Sequence, residues 1–419
     1  MKISSNESLL PNPWPSCHYI GEEEIQKVVK VLQCKSPSRF MGPDIQGFAC
    51  LLEEWYCSYL GRKYAIAVNS GTSALSLSLS SLDIGPGDEV LVPSYAWSAC
   101  YSSIIRSGAI PRIVEIDESL SMDPEDLNKK ISRHSRAVLL VHMSGSGGDI
   151  QRILNICKKH GLYLIEDVSQ ANGGKFNSRP LGSFGDVAIF SFQMNKTITA
   201  GEGGLIACDD ENLWQRAWIV HDDGYWHKSS KAPDCFDNLE TSWGVGARVN
   251  ELTAAMLFAQ TKKLDEIVHA MQIRQQMLCE GLKGLPGIRF RSCIEKENDI
   301  GSFLVLVWPN KFYCEEIVRR TREAGVCTES GFGNLTMSEM GLHLYYNNLS
   351  LINKIPTHYS GRPWNDPLNK FAKDYEYVKG TMPVSDNLFD CTQLLTVSPA
   401  LTEDSISKII RVFWETVVL

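Results

Sequence analysis

Short runs of hydrophobic, often β-branched residues alternate with amphipathic segments between about residues 60 and 210. The runs at 64–69, 89–93, 113–116, 137–142, 163–166 and 187–192 predict strands, and 72–82 and 97–107 predict helices. Strands joined by crossover helices form parallel sheets, and runs that are hydrophobic throughout indicate burial on both faces. This part of the chain is therefore predicted to be an α/β domain.

The pattern changes after residue 250. A long helical segment over 250–285 carries hydrophobic residues three, four or seven positions apart, namely Leu252, Met256, Leu257, Leu264, Ile267 and Met271. Beyond it, 288–291 and 303–308 predict strands, and 315–324 and 403–414 predict helices. These elements indicate a smaller α+β unit.

Residues 331–366 show no clear periodicity and are rich in Gly, Asn, Pro, Tyr and His, as lids and binding loops often are. Candidate substrate-binding side chains in this stretch are Tyr345, Tyr346, His358 and Arg362, although a plain surface loop explains them equally well. A chain of 419 residues exceeds what one hydrophobic core supports. We therefore expect two domains, 1–275 and 276–419.

Composition excludes several classes of function. The formal net charge is -8, and basic residues form no long run, so nucleic acid is not an expected partner. No segment has the roughly 18 uninterrupted apolar residues of a membrane-spanning helix, and 1–15 does not resemble a signal peptide. The 13 cysteines are scattered without a C-x-x-C pair, which argues against a zinc site or a disulfide framework. We expect a cytoplasmic protein without a bound metal.

Two polar segments follow predicted strands. The first, 69–75, has the sequence Asn-Ser-Gly-Thr-Ser-Ala-Leu and opens a helix, where backbone N–H groups can bind a phosphate. An ordinary helix N-cap is the alternative. The second contains Asp167, at the carboxyl end of a strand, where ligands bind in open α/β sheets. The Asp167 carboxylate could equally cap a helix or bind a metal. A carboxylate that faces the nitrogen of a bound pyridine ring would instead keep that nitrogen protonated.

A third segment places Lys196 on a tight turn between two strands, followed by Ala-Gly-Glu-Gly-Gly. Most turn lysines are solvated. A lysine that forms a Schiff base must lose its proton, and a free ammonium with a pKa of about 10.4 rarely does.

These three segments, in this order and spacing, resemble the DegT/StrS family of sugar aminotransferases, a branch of the fold type I pyridoxal-phosphate enzymes. Further matches are Val-Pro-Ser-Tyr-Ala-Trp at 92–97, Leu-Gly-Ser-Phe-Gly-Asp at 181–186 and Arg-Val-Asn-Glu-Leu-Thr-Ala-Ala at 248–255. The resemblance covers 20–275, and beyond it only length and general character agree. It implies a large domain with a mostly parallel seven-stranded sheet and a smaller α+β domain.

The resemblance implies a role for each matching residue. Lys196 would carry the cofactor as a Schiff base, and Asp167 would pair with the pyridinium nitrogen. Gly71, Thr72 and Ser191 would bind the phosphate. Trp97 matches the aromatic residue that stacks on the cofactor ring, with a core position as the alternative, and Gln170 matches a residue near the opposite ring face or the phenolic oxygen. Asn250 would reach the phosphate of a neighbouring subunit, which implies a homodimer with shared active sites.

Two stretches depart from the family pattern. Residues 142–149 lack the aromatic residue and the amide of the Tyr-Gly-Gln-type loop found in relatives, which leaves substrate specificity open. Residues 221–227 replace a short Asn-His-Gly turn with an aromatic and acidic stretch, whose two histidines have no metal-ligand spacing. The acceptor-determining residues are expected in 222–241 and 331–366.

The resulting hypothesis is a transaminase that moves an amino group from glutamine or glutamate to a ketone of a sugar or cyclitol, with pyridoxamine phosphate as the intermediate cofactor form. Trp97 favours the relatives that use glutamine and inosose-type ketones. A sugar dehydratase of the same fold would have His in place of Lys196, and a silent cofactor-binding protein would not need the full residue set. A Rossmann dehydrogenase is disfavoured because no G-x-G-x-x-G follows the first strand.

Overall fold

The computed structural model describes residues 8–224, 242–294 and 299–418, which fold around a seven-stranded sheet. Its strands run in the order β1-β9-β8-β5-β4-β2-β3, and all are parallel except β9, which is antiparallel to both neighbours. The predicted, mostly parallel sheet is confirmed. In chain order the strands are β1 (Tyr64–Val68), β2 (Glu89–Pro93), β3 (Ile110–Val114), β4 (Ser135–Val141), β5 (Tyr163–Asp167), the separate ribbon β6 (Lys175–Phe176) and β7 (Arg179–Pro180), β8 (Val187–Ser191) and β9 (Gly204–Cys208).

Helices cover both faces of this sheet, as the hydrophobic runs require. In chain order they are α1 (Glu22–Gln33), α2 (Phe48–Leu60), α3 (Gly71–Ser81), α4 (Ser98–Ser107), α5 (Pro124–Lys130), α6 (Ile150–His160), α7 (Glu211–His221), α8 (Glu251–Thr261) and α9 (Leu264–Leu282). Successive strand side chains point to opposite faces. The strand side chains on one face pack against α3, α4 and α7, and those on the other face pack against α2, α6, α8 and the first half of α9.

The C-terminal part contains an antiparallel sheet in the order β10-β11-β13-β12. Its strands are β10 (Arg289–Phe290), β11 (Phe303–Val307), β12 (Asn334–Thr336) and β13 (Thr392–Thr396), and its helices are α10 (Lys311–Glu323), α11 (Leu349–Ile352), α12 (Pro383–Cys391) and α13 (Glu403–Val418). This sheet forms a third core with α10, α13 and the second half of α9. The predicted boundary at 275 falls inside α9, and the division into 1–275 and 276–419 stays a prediction.

Three predicted elements differ from the structure. The long helix over 250–285 is two helices, separated at Lys262 and Lys263. The strand predicted at 113–116 begins earlier and includes Pro111, which β3 tolerates because it is an edge strand. Residues 331–366 are not wholly irregular, since β12 pairs with β13 through hydrogen bonds that no hydrophobic period reveals.

The chain beyond β12 returns to the large sheet. Leu344, Tyr345, Leu351 and Phe389 are buried in the core that α3 and α4 form on it. The stretch predicted as a binding loop therefore packs against the elements that follow β1 and β2. Within the described residues, no helix has the length and apolarity needed to cross a membrane.

Candidate active site

A cavity of about 320 Å³ lies where β1, β2, β5 and β8 end. The carboxyl ends of parallel strands share one edge of the sheet, and ligands of open α/β sheets bind there. The structure brings together on its walls every predicted site residue except Asn250, namely Gly71, Thr72, Trp97, Asp167, Gln170, Ser191 and Lys196.

The N-terminus of α3 forms one end of the cavity. Ser70 is its N-cap and accepts a hydrogen bond from the Ser73 amide at 3.1 Å. First-turn N–H groups have no acceptor within the helix and carry the positive end of its dipole, so Gly71 and Thr72 offer donors to an anion. A Cβ on Gly71 would lie 2.6 Å from the Cβ of Ser191. The missing side chain lets the helix end approach the Ser191 hydroxyl.

Two adjacent acids at the end of β5 point to opposite faces of the sheet. Glu166 is buried and accepts hydrogen bonds from the amides of Gly182, Phe184 and Gly185 at 3.0, 2.7 and 2.6 Å. Burial opposes ionisation, but His142 at 3.3 Å, the Gly185 amide and the Arg62 charge hold the pKa of Glu166 below its usual value. Glu166 therefore anchors a turn, and Asp167 is the acid that reaches the cavity.

The Asp167 carboxylate is held by two donors. The Ser169 amide donates to Oδ1 at 2.9 Å, and the Cys100 thiol lies 3.5 Å from Oδ2. Burial, reinforced by Asp167, raises the pKa of Cys100 well above its usual value, so this thiol keeps its proton. In the sequence Cys100 is one of 13 scattered cysteines, and no motif marks its contact with Asp167.

Lys196 lies on the loop between β8 and β9, as predicted. Hydrogen bonds from Phe192 N to Gly203 O at 2.9 Å and from Met194 N to Gly201 O at 3.1 Å hold the two arms of the loop together. Desolvation lowers the pKa of Lys196, while Asp167, Cys100 and Glu202 oppose the shift. Its amine therefore loses the proton at lower pH than an exposed lysine does.

Trp97, Gln170 and His343 also line the cavity. Gln170 Oε1 accepts the Ser144 amide at 3.1 Å. Trp97 is 44% exposed, and its ring centroid lies 4.7 Å from that of His343 at an angle of 52°. His343 could not be singled out from the sequence, because it lies in the aperiodic stretch 331–366 among neighbouring side chains that are equally suitable as ligands.

Those neighbours have other surroundings in the structure. The Tyr345 hydroxyl is buried against Asp386, at 3.2 Å from Oδ1. His358 is exposed, and the exposed Arg362 pairs with Asp366 at 3.2 Å. From this stretch, His343 is the residue on the cavity wall.

Asn250 does not line the cavity of its own chain. It is the N-cap of α8, and its Oδ1 accepts the Thr253 amide at 2.8 Å. Arg248 forms an antiparallel bridge with Val68 at the end of β1, which brings the exposed Asn250 near the same edge of the sheet. Its predicted role on a neighbouring subunit stays a prediction.

The described part of the chain contains no cluster of His, Cys, Asp and Glu suited to a metal ion. His221 is buried, and desolvation lowers its pKa to about 3, with Arg39 adding to the shift. The second histidine of this stretch, His227, and most of the predicted specificity segment 222–241 lie outside the described residues.

The cavity fits pyridoxal phosphate. The glycine cradle at α3 suits its phosphate, Asp167 is a charge partner for its ring nitrogen, and Lys196 is an amine of lowered pKa for its aldehyde.

Comparison with known proteins agrees with this fit. The family model of the DegT/DnrJ/EryC1/StrS aminotransferase family matches residues 18–355. The spore coat polysaccharide biosynthesis protein SpsC of Bacillus subtilis is 29% identical over 98% of this chain and 97% of its own length. GDP-perosamine synthase of Vibrio cholerae is 36% identical over 56% of this chain and 62% of its own length.

Solved structures show the same fold. DesV of S. venezuelae, crystallised with a ketimine intermediate, superposes with a TM-score of 0.73 at 26% identity, covering 94% of each chain. The match extends beyond 275, where the sequence resemblance ended. The chain therefore belongs to the DegT/DnrJ/EryC1/StrS aminotransferase family and is a pyridoxal-phosphate-dependent aminotransferase.

Proposed function

We propose that this aminotransferase takes an amino group from glutamine or glutamate and delivers it to a ketone of a sugar or a cyclitol. Two observations support this substrate class. GDP-perosamine synthase acts on a nucleotide-linked sugar by its name, and SpsC, which aligns over nearly the whole chain, is named for polysaccharide biosynthesis. The cavity walls also offer amide, hydroxyl and imidazole groups that suit a polyhydroxylated ligand.

Five residues of the cavity wall have a defined task in this reaction. When bound, pyridoxal phosphate supplies an electron sink for the negative charge that forms at the substrate carbon. The Asp167 carboxylate holds a proton on the ring nitrogen, and the donors from Ser169 and Cys100 fix its orientation. Gly71, Thr72 and Ser191 bind the phosphate. Lys196 Nζ holds the cofactor between turnovers and then moves the proton at the reacting carbon.

The observation that carries the proposal is that Lys196 and Asp167 line one cavity with the α3 N-terminus. A dehydratase of this fold would need His where Lys196 lies. A silent cofactor-binding protein would have no use for a desolvated amine in the same cavity as a carboxylate, because desolvation of that amine has a free-energy cost.

We further propose a cytoplasmic homodimer in which Asn250 completes the partner's phosphate site. The exposure of Asn250 beside the end of β1 supports this arrangement. Its carboxamide can donate to a phosphate oxygen through Nδ2 while Oδ1 keeps its cap hydrogen bond with Thr253.

The visible absorbance of the purified holoenzyme tests the donor half. We expect a yellow band that bleaches with glutamine or with glutamate in the absence of a ketone. Lys196→Ala should neither show this lysine-bound band nor bleach, whereas Lys158→Ala, on the outer surface of α6, should behave as wild type. No band after addition of pyridoxal phosphate would refute the assigned role of Lys196.

The acceptor half is tested by return of the band. The bleached enzyme is freed of donor and mixed with scyllo-inosose or with a nucleotide-linked 4-keto-6-deoxyhexose. Recovery with either identifies the acceptor class. Bleaching without recovery by any polyhydroxy ketone would refute the proposed acceptor while leaving the donor chemistry intact.

A further inference from the structure

The segment around His343 is fixed to the active site by its backbone. The His343 carbonyl accepts the Ala96 amide at 2.9 Å, and the Tyr345 amide donates to the Ser94 carbonyl at 3.1 Å. These bonds attach the segment to the chain between β2 and Trp97. The imidazole position therefore follows from main-chain pairing and does not depend on a mobile loop.

The hydrogen bonds of His343 define its tautomer. Nδ1 lies 2.8 Å from the Met340 carbonyl, which can only accept, so Nδ1 carries the proton. Nε2 then presents a lone pair on the cavity side, 3.5 Å from Gln170 Nε2. The Ser144 amide occupies Gln170 Oε1, which leaves the Gln170 amino group facing His343. At 3.5 Å this contact is weak, and both groups retain capacity for a ligand.

The imidazole is neutral in this setting. Burial lowers the pKa of His343, the Lys196 charge lowers it further, and the Met340 carbonyl only partly opposes the shift. A neutral Nε2 accepts a hydrogen bond from a hydroxyl group. A carboxylate has no proton to donate and gains nothing from this lone pair.

We propose that His343 Nε2 accepts a hydrogen bond from a hydroxyl of the keto acceptor, and that Trp97 and Gln170 hold the imidazole in place. The inference rests on the proposed function and deepens it, because it assigns a specificity residue to the acceptor half. The acceptor is a ketone with a hydroxyl near the carbonyl. The carboxylates of the amino-acid donor offer no proton to Nε2, so we assign His343 to the acceptor half of the reaction.

Measuring the two half-reactions separately distinguishes an effect of His343 on the keto acceptor from an effect on the amino-acid donor. The wild-type holoenzyme and three variants are bleached with the active donor, freed of it and mixed with scyllo-inosose or the nucleotide-linked 4-keto-6-deoxyhexose. In parallel they are mixed with the 2-oxo acid of the donor, 2-oxoglutarate or 2-oxoglutaramate. His343→Phe removes the acceptor atom, and His343→Gln supplies a side-chain oxygen. His358→Phe is the matched control, an exposed histidine of the same stretch.

We expect His343→Phe to lose about tenfold in the second-order rate constant for the polyhydroxy ketone, the usual effect of one lost hydrogen bond. Its rate constant with the 2-oxo acid should be unchanged, which a merely structural defect would not allow. His343→Gln should recover part of the loss, and His358→Phe should match wild type.

Equal losses with both substrate classes, or none with the ketone, would overturn the assignment of His343. A wild-type enzyme that no polyhydroxy ketone restores would instead overturn the proposed acceptor class, and the inference with it.

Discussion

Replacing Gly71 by Ala tests the phosphate cradle. The added Cβ would lie 2.6 Å from the Ser191 Cβ, 3.0 Å from its Oγ and 3.3 Å from its Cα. The first and last of these atoms cannot move by side-chain rotation. The start of α3 must therefore move away from the end of β8.

The expected magnitude follows from this displacement. Overpacking of this kind costs about 1–3 kcal/mol, which lowers Tm by about 1–3 °C in a chain of this size. The larger effect concerns the cofactor. Hydrogen bonds to a charged phosphate contribute about 1.5–3 kcal/mol, so misplacing one weakens cofactor binding by about 10- to 150-fold.

Titration of the cofactor-free protein with pyridoxal phosphate measures the effect. The informative comparison places Gly71→Ala in two backgrounds. Ser191→Gly removes both the hydroxyl and the Cβ that clashes, whereas Ser191→Ala removes only the hydroxyl. Gly71→Ala should be much less harmful in the Ser191→Gly background than in the Ser191→Ala background.

Cofactor affinity within twofold of wild type in Gly71→Ala would refute the cradle. Equal effects of Gly71→Ala in the two backgrounds would show that the harm does not come from the Ser191 Cβ.

The remaining predictions concern three residues. Lys196→Ala should still fold but lose about 10²–10⁴-fold or more in turnover, and transamination at the normal rate would contradict the mechanism. Asp167→Asn should lower the pKa of Lys196 further, because the Asp167 charge raises that pKa in the wild type. The amine is then neutral at lower pH, so the pH midpoint at which cofactor-free protein captures pyridoxal phosphate should move down. An upward shift of this midpoint would contradict the reasoning. Asn250→Ala should lose an N-cap worth about 1 kcal/mol and weaken cofactor binding, whereas Asn250→Asp should keep the cap and still weaken binding by repelling the phosphate. Sedimentation should show a dimer at working concentration, and a fully active monomer would exclude a role for Asn250 in the partner's site.

Most of the large sheet could be predicted from the sequence because its strands are buried on both faces. Such strands appear as unbroken hydrophobic runs, and β2, β5 and β8 were found within a residue or two of their observed ends. The central strand β13 was missed. Its five residues are all buried, yet the run contains Thr and Gln, and the polar side chains of Gln393 and Thr396 find hydrogen-bond partners distant in sequence.

The residues of the active site also fall into those that the sequence reveals and those that it does not. Gly71, Asp167 and Lys196 follow predicted strands directly, so local pattern and motif were enough to find them. His343 and Cys100 could not be found in this way. His343 depends on a main-chain pairing with 94–96, and the Cys100 thiol meets Asp167 through the packing of α4 against the sheet.

The pairing that holds His343 also has a consequence for biosynthesis. Gln170 and His343 are 173 residues apart in the sequence. At a synthesis rate of about 5–20 residues per second, about 9–35 seconds separate their emergence from the ribosome. The cavity residues to which we assign cofactor contacts all precede the end of β9. Ser191 and Lys196 emerge early in that interval, and His343 is the last of the cavity-lining residues to be synthesised, so the proposed acceptor contact is added to a cavity whose other walls are already made.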